Sequence, residues 1–242
     1  MTMRLSMNRI VYMLVTILAL TSCAEAYETY QIQGSSMVSM DHDNKLALKV
    51  FKDDGLADFD SCEVVHGNFS FVGRYDTTQL GFLVTEDIMN PVPLIIETGG
   101  MITVSLQRGM NRVSGTPLND KLYAYLEHYN QLRNYAMTMK ARSMEMMQLR
   151  NQMDSLETRF IIDNSDNLAG MCAFMQMVSE LVESQMLITP QLELIMQQAS
   201  ESFRNNPFVS NYYKAAKSYM NSQQSKELPV ALPMKEETEK PK

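Results

Sequence analysis

Two hydrophobic periods divide this chain. From Glu28 to about Gly115 apolar residues alternate with polar or small ones, the period of a strand with one buried face. Leu46, Leu48 and Val50 alternate in this way, as do Phe69, Phe71 and Gly73. The pattern, cut by turn residues, predicts strands over 29–34, 46–52, 59–65, 69–74, 80–86, 92–97, 101–106 and 108–114. His66-Gly67-Asn68 reads as a hairpin connection, because Gly and Asn tolerate positive φ, and Thr98-Gly99-Gly100 reads as another. Many short strands with regular turns imply an antiparallel β-sandwich or a partly open barrel.

After Ser114 the period becomes helical. Thr116-Pro117 reads as a cap followed by a first helical residue, since proline lacks the donor that position would waste. Leu122, Tyr125, Tyr129, Leu132, Ala136 and Met139 then fall three or four apart. The stripe weakens at Ser143 and resumes at Met146, Leu149, Met153, Leu156 and Phe160, with Lys, Arg, Glu and Gln on the other face. Unbroken, this long first helix would extend roughly 60 Å; a break near Ser143 would divide it. A second helix is expected from Ser165 or Asp166 to about Gln185, a third from Thr189-Pro190 and a fourth from Asn206-Pro207. The residues after Ser222 are polar, charged and proline-containing, which predicts a disordered tail over 223–242. The fold class expected is α+β, with a β-domain over 30–115 and a helical region over 116–222. No repeat of solenoid period is evident.

The first residues read as an address rather than as fold. Arg4 and Arg9 precede an uncharged apolar run over 10–20, shorter than the ~20 residues a membrane-spanning helix needs. Leu20-Thr21-Ser22-Cys23 resembles a bacterial lipobox: an aliphatic residue, two small ones for close approach of the peptidase, and a cysteine whose sulfur accepts lipid. The expectation is a signal peptide over 1–22, lipidation at Cys23, and a short linker over 23–29. Stable anchoring needs more than one acyl chain, and a mature lipoprotein carries several. An ordinary secretory signal cut near Ala24 or Ala26 is the alternative. Ala24, where an aspartate would signal inner-membrane retention, resembles the outer-membrane sorting pattern. Glu25 and Glu28 loosely resemble surface-export tags, which leaves the periplasmic face and the cell surface both open.

Four stretches carry a family resemblance: Tyr30-Gln31-Ile32-Gln33-Gly34, His66-Gly67-Asn68-Phe69-Ser70-Phe71-Val72-Gly73, Ile96-Glu97-Thr98-Gly99-Gly100-Met101-Ile102-Thr103-Val104, and Val113-Ser114-Gly115-Thr116-Pro117-Leu118-Asn119-Asp120. They supply glycines at turns, aromatics alternating into a core and a closing helix cap. Together, over about Tyr30 to Asp120, they resemble the uncharacterised β-rich N-terminal domain that precedes thioredoxin-like (alkyl hydroperoxide reductase/TSA-type) domains in exported lipoproteins of gut-type Gram-negative bacteria. More loosely, the helices and Asn206-Pro207-Phe208-Val209 resemble the segment leading into that redox domain. After Tyr219 only a short tail follows, and no CxxC is present. The resemblance therefore carries over no catalytic residue and no redox activity.

Composition narrows the chemistry. The formal net charge is −7 with no Lys/Arg cluster, which argues against nucleic acid as a partner. With Cys23 lipidated, Cys62 and Cys172 remain; they could pair across the two halves, or stay as two buried free thiols. His42, His66 and His128 stand far apart, without metal-ligand or triad spacing. Asp41-His42-Asp43 and Asp53/Asp54 read as solvated turns, and His66 and His128 as surface residues. Gly99-Gly100 lacks the lysine of a phosphate loop, and Ser114-Gly115-Thr116 is no nucleophile elbow. The 22 methionines include Met137, Met139, Met144, Met146 and Met147 on the first helix and Met171, Met175 and Met177 on the second. Thioethers suit Cu(I), but Met also fills cores and adaptable interfaces, and its place on the apolar stripe favours packing. The expected function is a non-catalytic envelope lipoprotein that binds or scaffolds another envelope protein, with no cofactor and no metal. The alternatives are a redox auxiliary to a thioredoxin-like system and Met-based copper binding.

Overall fold

The computed structural model describes residues 28–37, 44–52, 55–85, 91–97, 100–108, 110–140, 143–184 and 187–227. Eight strands come first: β1 (Glu28–Ser36), β2 (Lys45–Lys52), β3 (Gly55–Glu63), β4 (Asn68–Tyr75), β5 (Gln79–Val84), β6 (Val92–Ile96), β7 (Ile102–Leu106) and β8 (Arg112–Ser114). Helices follow: α1 (Pro117–Met137), α2 (Met144–Asp163), α3 (Leu168–Glu183), α4 (Pro190–Gln198), α5 (Glu201–Asn205) and α6 (Pro207–Glu227). The fold is α+β, as the two periods imply.

The strands form two four-stranded sheets, ordered β4-β1-β7-β8 and β3-β2-β5-β6, and no closed barrel. Pairing is antiparallel except between β1 and β7, which run parallel from Ile32 opposite Ile102 to Ser36 opposite Leu106. The expected hairpin at Thr98-Gly99-Gly100 is not one. It joins β6 in one sheet to β7 in the other, so β7 enters beside β1 in the same direction. The turn at His66-Gly67 is a two-residue hairpin with both central residues at positive φ, 50° and 77°. That is the primed geometry whose twist matches antiparallel strands. Val65 and Asn68 close it with N–H···O bonds of 2.8 and 2.9 Å. Asn68 begins the strand, and His66 takes the left-handed position instead.

Two of the quoted stretches pair with each other. In the β1–β4 register Tyr30 faces Gly73, Ile32 faces Phe71, and Gly34 faces Phe69. The ring of Phe69 lies where a Cβ on Gly34 would sit, and the ring of Tyr30 does the same at Gly73. Each glycine lets an aromatic from the neighbouring strand fold flat across the sheet. The Tyr30 hydroxyl reaches across to β3 and donates to Asp60 at 2.7 Å.

The second sheet is covered on both faces. Leu48, Val50, Leu83 and Leu94 share one buried face, by the register of β2, β5 and β6. Leu80 and Ile95 lie on the other and are also buried, because α3 packs on β5 and β6. Phe51 of β2 meets Phe208 of α6 edge to face, ring centres 5.6 Å apart. One continuous apolar core thus joins strands and helices.

The helix stripe is broken where it weakens. Thr138 ends α1, and Ser143 starts α2 with its hydroxyl accepting from the Met146 N–H at 3.1 Å. Each half is about 30 Å long at 1.5 Å per residue, and α2 packs back against α1. Thr189 and Asn206 open α4 and α6 as expected, accepting from Leu192 and Phe208 N–H groups. The cap of α3 is Asn167, not Ser165 or Asp166. Ser165 is buried and accepts instead from the N–H of Ser200, which itself caps the unexpected short α5. Helix α6 runs to Glu227, replacing the first residues of the expected tail.

The junction between the halves is bonded in detail. Thr116 holds the cap position of α1, but its side chain makes no capping bond. The carboxylate of Glu97 caps instead, accepting from Leu118 N–H at 2.7 Å and Asn119 N–H at 3.3 Å. Asn119, fully buried, donates to Thr116 Oγ1 at 2.7 Å and bonds both backbone groups of Ile95. Asp120 accepts from the Gly115 N–H at 2.9 Å, and the Tyr123 hydroxyl donates to the Pro93 carbonyl at 2.8 Å.

Candidate functional site

A cleft of about 1010 Å³ is bounded by α1 to α4. Its walls mix apolar Ile162, Met177, Leu181 and Leu194 with acidic Asp154, Glu157 and Glu180. Glu157 is placed by helical spacing: it follows Met153 by four positions and precedes Ile161 by four, so it lies on the buried stripe of α2. Glu180 follows Met177 by three on the inward side of α3.

Glu157 is 4 % exposed. One oxygen accepts from the Tyr125 hydroxyl at 3.3 Å, the other from Gln191 Nε2 at 2.9 Å. Tyr129 donates to Glu180 at 3.2 Å. Tyr125 stacks on Phe160, ring centres 4.2 Å apart. Burial pushes the Glu157 carboxyl up to about 7; Gln191 and Tyr125 oppose the shift, while Glu180 and Asp154 add to it. Burial, with the neighbouring carboxylates, also holds the Tyr125 and Tyr129 phenols well above the usual tyrosine range. Burial raises Asp154 despite the opposing charge of Arg150.

This arrangement can exchange a proton near neutrality and offer acceptors to a polar guest. Ser155 lines the cleft, but its hydroxyl donates to the Asn151 carbonyl at 2.7 Å. Among the described residues no three His, Cys, Asp or Glu side chains are placed to hold a metal ion.

The residues singled out in the sequence do not meet here. Cys23, Asp41-His42-Asp43 and Asp53/Asp54 lie outside the described residues. His66 and His128 are exposed, on the β3–β4 turn and on α1. Cys62 and Cys172 are both free, so the disulfide weighed for them is not formed. Cys62 sits on β3 beside the Ser70 backbone of β4, while Cys172 is buried on α3 near Tyr123. Burial pushes Cys62 up to about 11 and Cys172 up to about 12. The methionines divide. Met146 and Met177 are buried, and Met153, Met171 and Met175 pack against the core. Met137, Met144 and Met147 are not core residues: they stand 71 %, 76 % and 63 % exposed around the α1–α2 turn, beside Tyr135 at 58 %. All four lie off the apolar stripe, whose members at this turn, Met139 and Met146, are half-buried and buried.

The bonded junction of Glu97, Thr116 and Asn119 lies just inside a stretch that matches a known family. Residues 30–122 match the model of the DUF4369 family. The family is described as a domain of unknown function. The matched stretch runs from Tyr30 in β1 through both sheets to buried Leu122 in α1, so the helix start that bonds β6 lies within it. The cleft is built from Tyr129 onward and lies outside the matched stretch. No curated protein matches the chain.

The cleft was missed in the sequence because Glu157 was counted with the polar face of its helix. The available signal was a glutamate at a stripe position, four residues from Met153.

Proposed function

We propose that this protein is a non-catalytic binding module of the cell envelope, tethered by lipid on Cys23, that docks a partner protein on the α1–α2 hairpin tip. The observation that carries the reading is the exposure of Tyr135, Met137, Met144 and Met147 within one turn region. Large apolar side chains grouped in water mark interaction sites rather than ordinary surface. Methionine suits such a surface, because its unbranched, polarisable chain adapts to a partner's apolar groove. The lipobox at Leu20-Thr21-Ser22-Cys23 supports the tether. The resemblance of the DUF4369 domain to one that precedes thioredoxin-like domains makes a thiol-disulfide protein a natural partner to look for.

The test is crosslinking and mass spectrometry of the tagged lipoprotein from intact membranes. Cys23→Ala serves as the unanchored control, and Met144→Glu with Met147→Glu as the altered tip. A partner captured by the native protein and lost with both changes supports the reading. A captured set that ignores the tip substitutions removes the docking surface. Turnover of a thiol, peroxide or ester substrate by the purified protein would remove the non-catalytic part.

A further inference from the structure

Glu157 holds a buried carboxylate without a cation. Its two hydrogen-bond partners, Tyr125 on α1 and Gln191 on α4, are neutral donors. The groups facing it from the surrounding elements add no compensating charge. From α1 come the phenols of Tyr125 and Tyr129, with Arg133 acting on Tyr129. From α2 itself comes Asp154, with Arg150 beside it, and Arg159 and Asp163 stand on the exposed rim of the cleft. From α3 comes Glu180. From α4 comes only the amide of Gln191, because Glu193 is taken by the Tyr213 hydroxyl and Lys217. Two like charges and a dry setting therefore work against ionisation, and only two neutral hydrogen bonds favour it.

The element that walls the cleft beside Glu157 on the side of Gln191 is α4. It has nine residues, and its polar link to the cluster is the Gln191 side chain, which also reaches the Asp154 carbonyl at 3.4 Å. Buried Leu192 and Ile195 hold the rest of it. Displacing α4 removes Gln191 and the Pro190–Gln198 wall from beside Glu157 and admits water to it.

We propose that Glu157 is a proton-operated latch: protonated, it keeps α4 closed on α1, α2 and α3; ionised, it loosens α4 and opens the cleft. A protonated carboxyl still accepts from Gln191 through its carbonyl oxygen, and its O–H can be donated to the Tyr125 oxygen. An ionised one repels Glu180 and Asp154 and gains from hydration that only an opened cleft provides. The carboxyl is pushed up to about 7 from the ordinary glutamate value of 4.5. A raised carboxyl favours the closed, folded form fully below about pH 4.5, and that contribution is lost as pH rises through about 7.

Hydrogen exchange of the full chain in detergent, from about pH 5.5 to about 8.5 and referred to the intrinsic rate at each pH, reads the latch directly. Protection over 187–198 is expected to fall about tenfold across this range. Glu157→Gln, which keeps a neutral group of the same shape, is expected to make protection independent of pH. Glu180→Gln removes a like charge and should move the midpoint to lower pH. A flat native profile, or the same pH dependence in Glu157→Gln, overturns the latch. If Glu157→Gln fails to fold, Glu180→Gln decides alone: a midpoint that does not move overturns the proposal.

Discussion

Asn119 bonds both backbone groups of Ile95, accepting its N–H at 2.8 Å and donating to its carbonyl at 2.7 Å. Ile95 lies on β6, an edge strand whose other side pairs with β5. The side-chain amide stands where the next strand's backbone would be. The Tyr123 hydroxyl does the same for the Pro93 carbonyl, and Pro93 has no N–H to satisfy. An open edge is a template for unwanted pairing; here the first turn of α1 closes it. Glu97, the residue after β6, caps that same helix. Strand and helix thus complete each other's backbone bonding.

Asn119→Ala is expected to lower stability by about 2–4 kcal/mol. It removes three side-chain hydrogen bonds and leaves two buried backbone groups of Ile95 unpaired, each costing about 1–3 kcal/mol less whatever water recovers. Urea denaturation with an unchanged m-value would measure this as a lower midpoint. Asn119→Asp should be at least as costly, because it places a charge where the donor to the Ile95 carbonyl was. A loss under about 0.5 kcal/mol, the scale of an ordinary surface change, would mean that the amide bond is not structural.

The β-half was legible as elements and not as sheets. Each expected strand overlaps an observed one, because a period of two is a local property, but β3 begins at Gly55 rather than Phe59 and β8 shrinks to Arg112–Ser114. Which strands share a sheet depends on where connections cross, and nothing local distinguishes the β6–β7 link from a hairpin. The helix breaks were legible where cap and proline stand together, at Thr189-Pro190 and Asn206-Pro207. Thr116 was legible as a cap position but not as an idle side chain, since Glu97 approaches from another strand. Ser165 reads as the start of the second helix, but it lies before the Asn167 cap and its hydroxyl accepts from Ser200. The α1–α4 cleft needed the knowledge that stripe positions can hold Glu157, and the exposed tip holds apolar residues that stand off the stripe.

Gly34 and Phe69 offer a test of the paired motifs. Gly34→Ala should cost about 1–3 kcal/mol, because its methyl must displace a ring already packed against Phe71. The cost should shrink to under about 1 kcal/mol when Phe69 is already Leu, giving a clear coupling in a double-mutant cycle. Equal costs in both backgrounds would show that the ring does not need the glycine. The same logic predicts that Val72→Thr, on the solvent face of β4, changes stability by less than about 0.5 kcal/mol.

Cys62 and Cys172 are free thiols whose reactivity burial suppresses. At pH 8 a thiol held near 11 has about a hundredth of the thiolate of one at its ordinary value near 9, and the thiolate is the reacting form. Half-buried Cys62 should therefore react with a disulfide reagent about a hundredfold more slowly than a free cysteine. Cys172, pushed to about 12 and enclosed by α3 and its neighbours, should wait for unfolding. Titration of a Cys23→Ser form is expected to find both thiols in urea without any reductant. If reductant is needed to find them, the two are linked in solution, and the redox-auxiliary reading returns with a disulfide between the halves to carry it. If Cys172 reacts in the native protein as fast as a small-molecule thiol, then α3 opens on the reaction timescale. In that case the helical layer over β5 and β6 is far less stable than its continuous apolar packing implies.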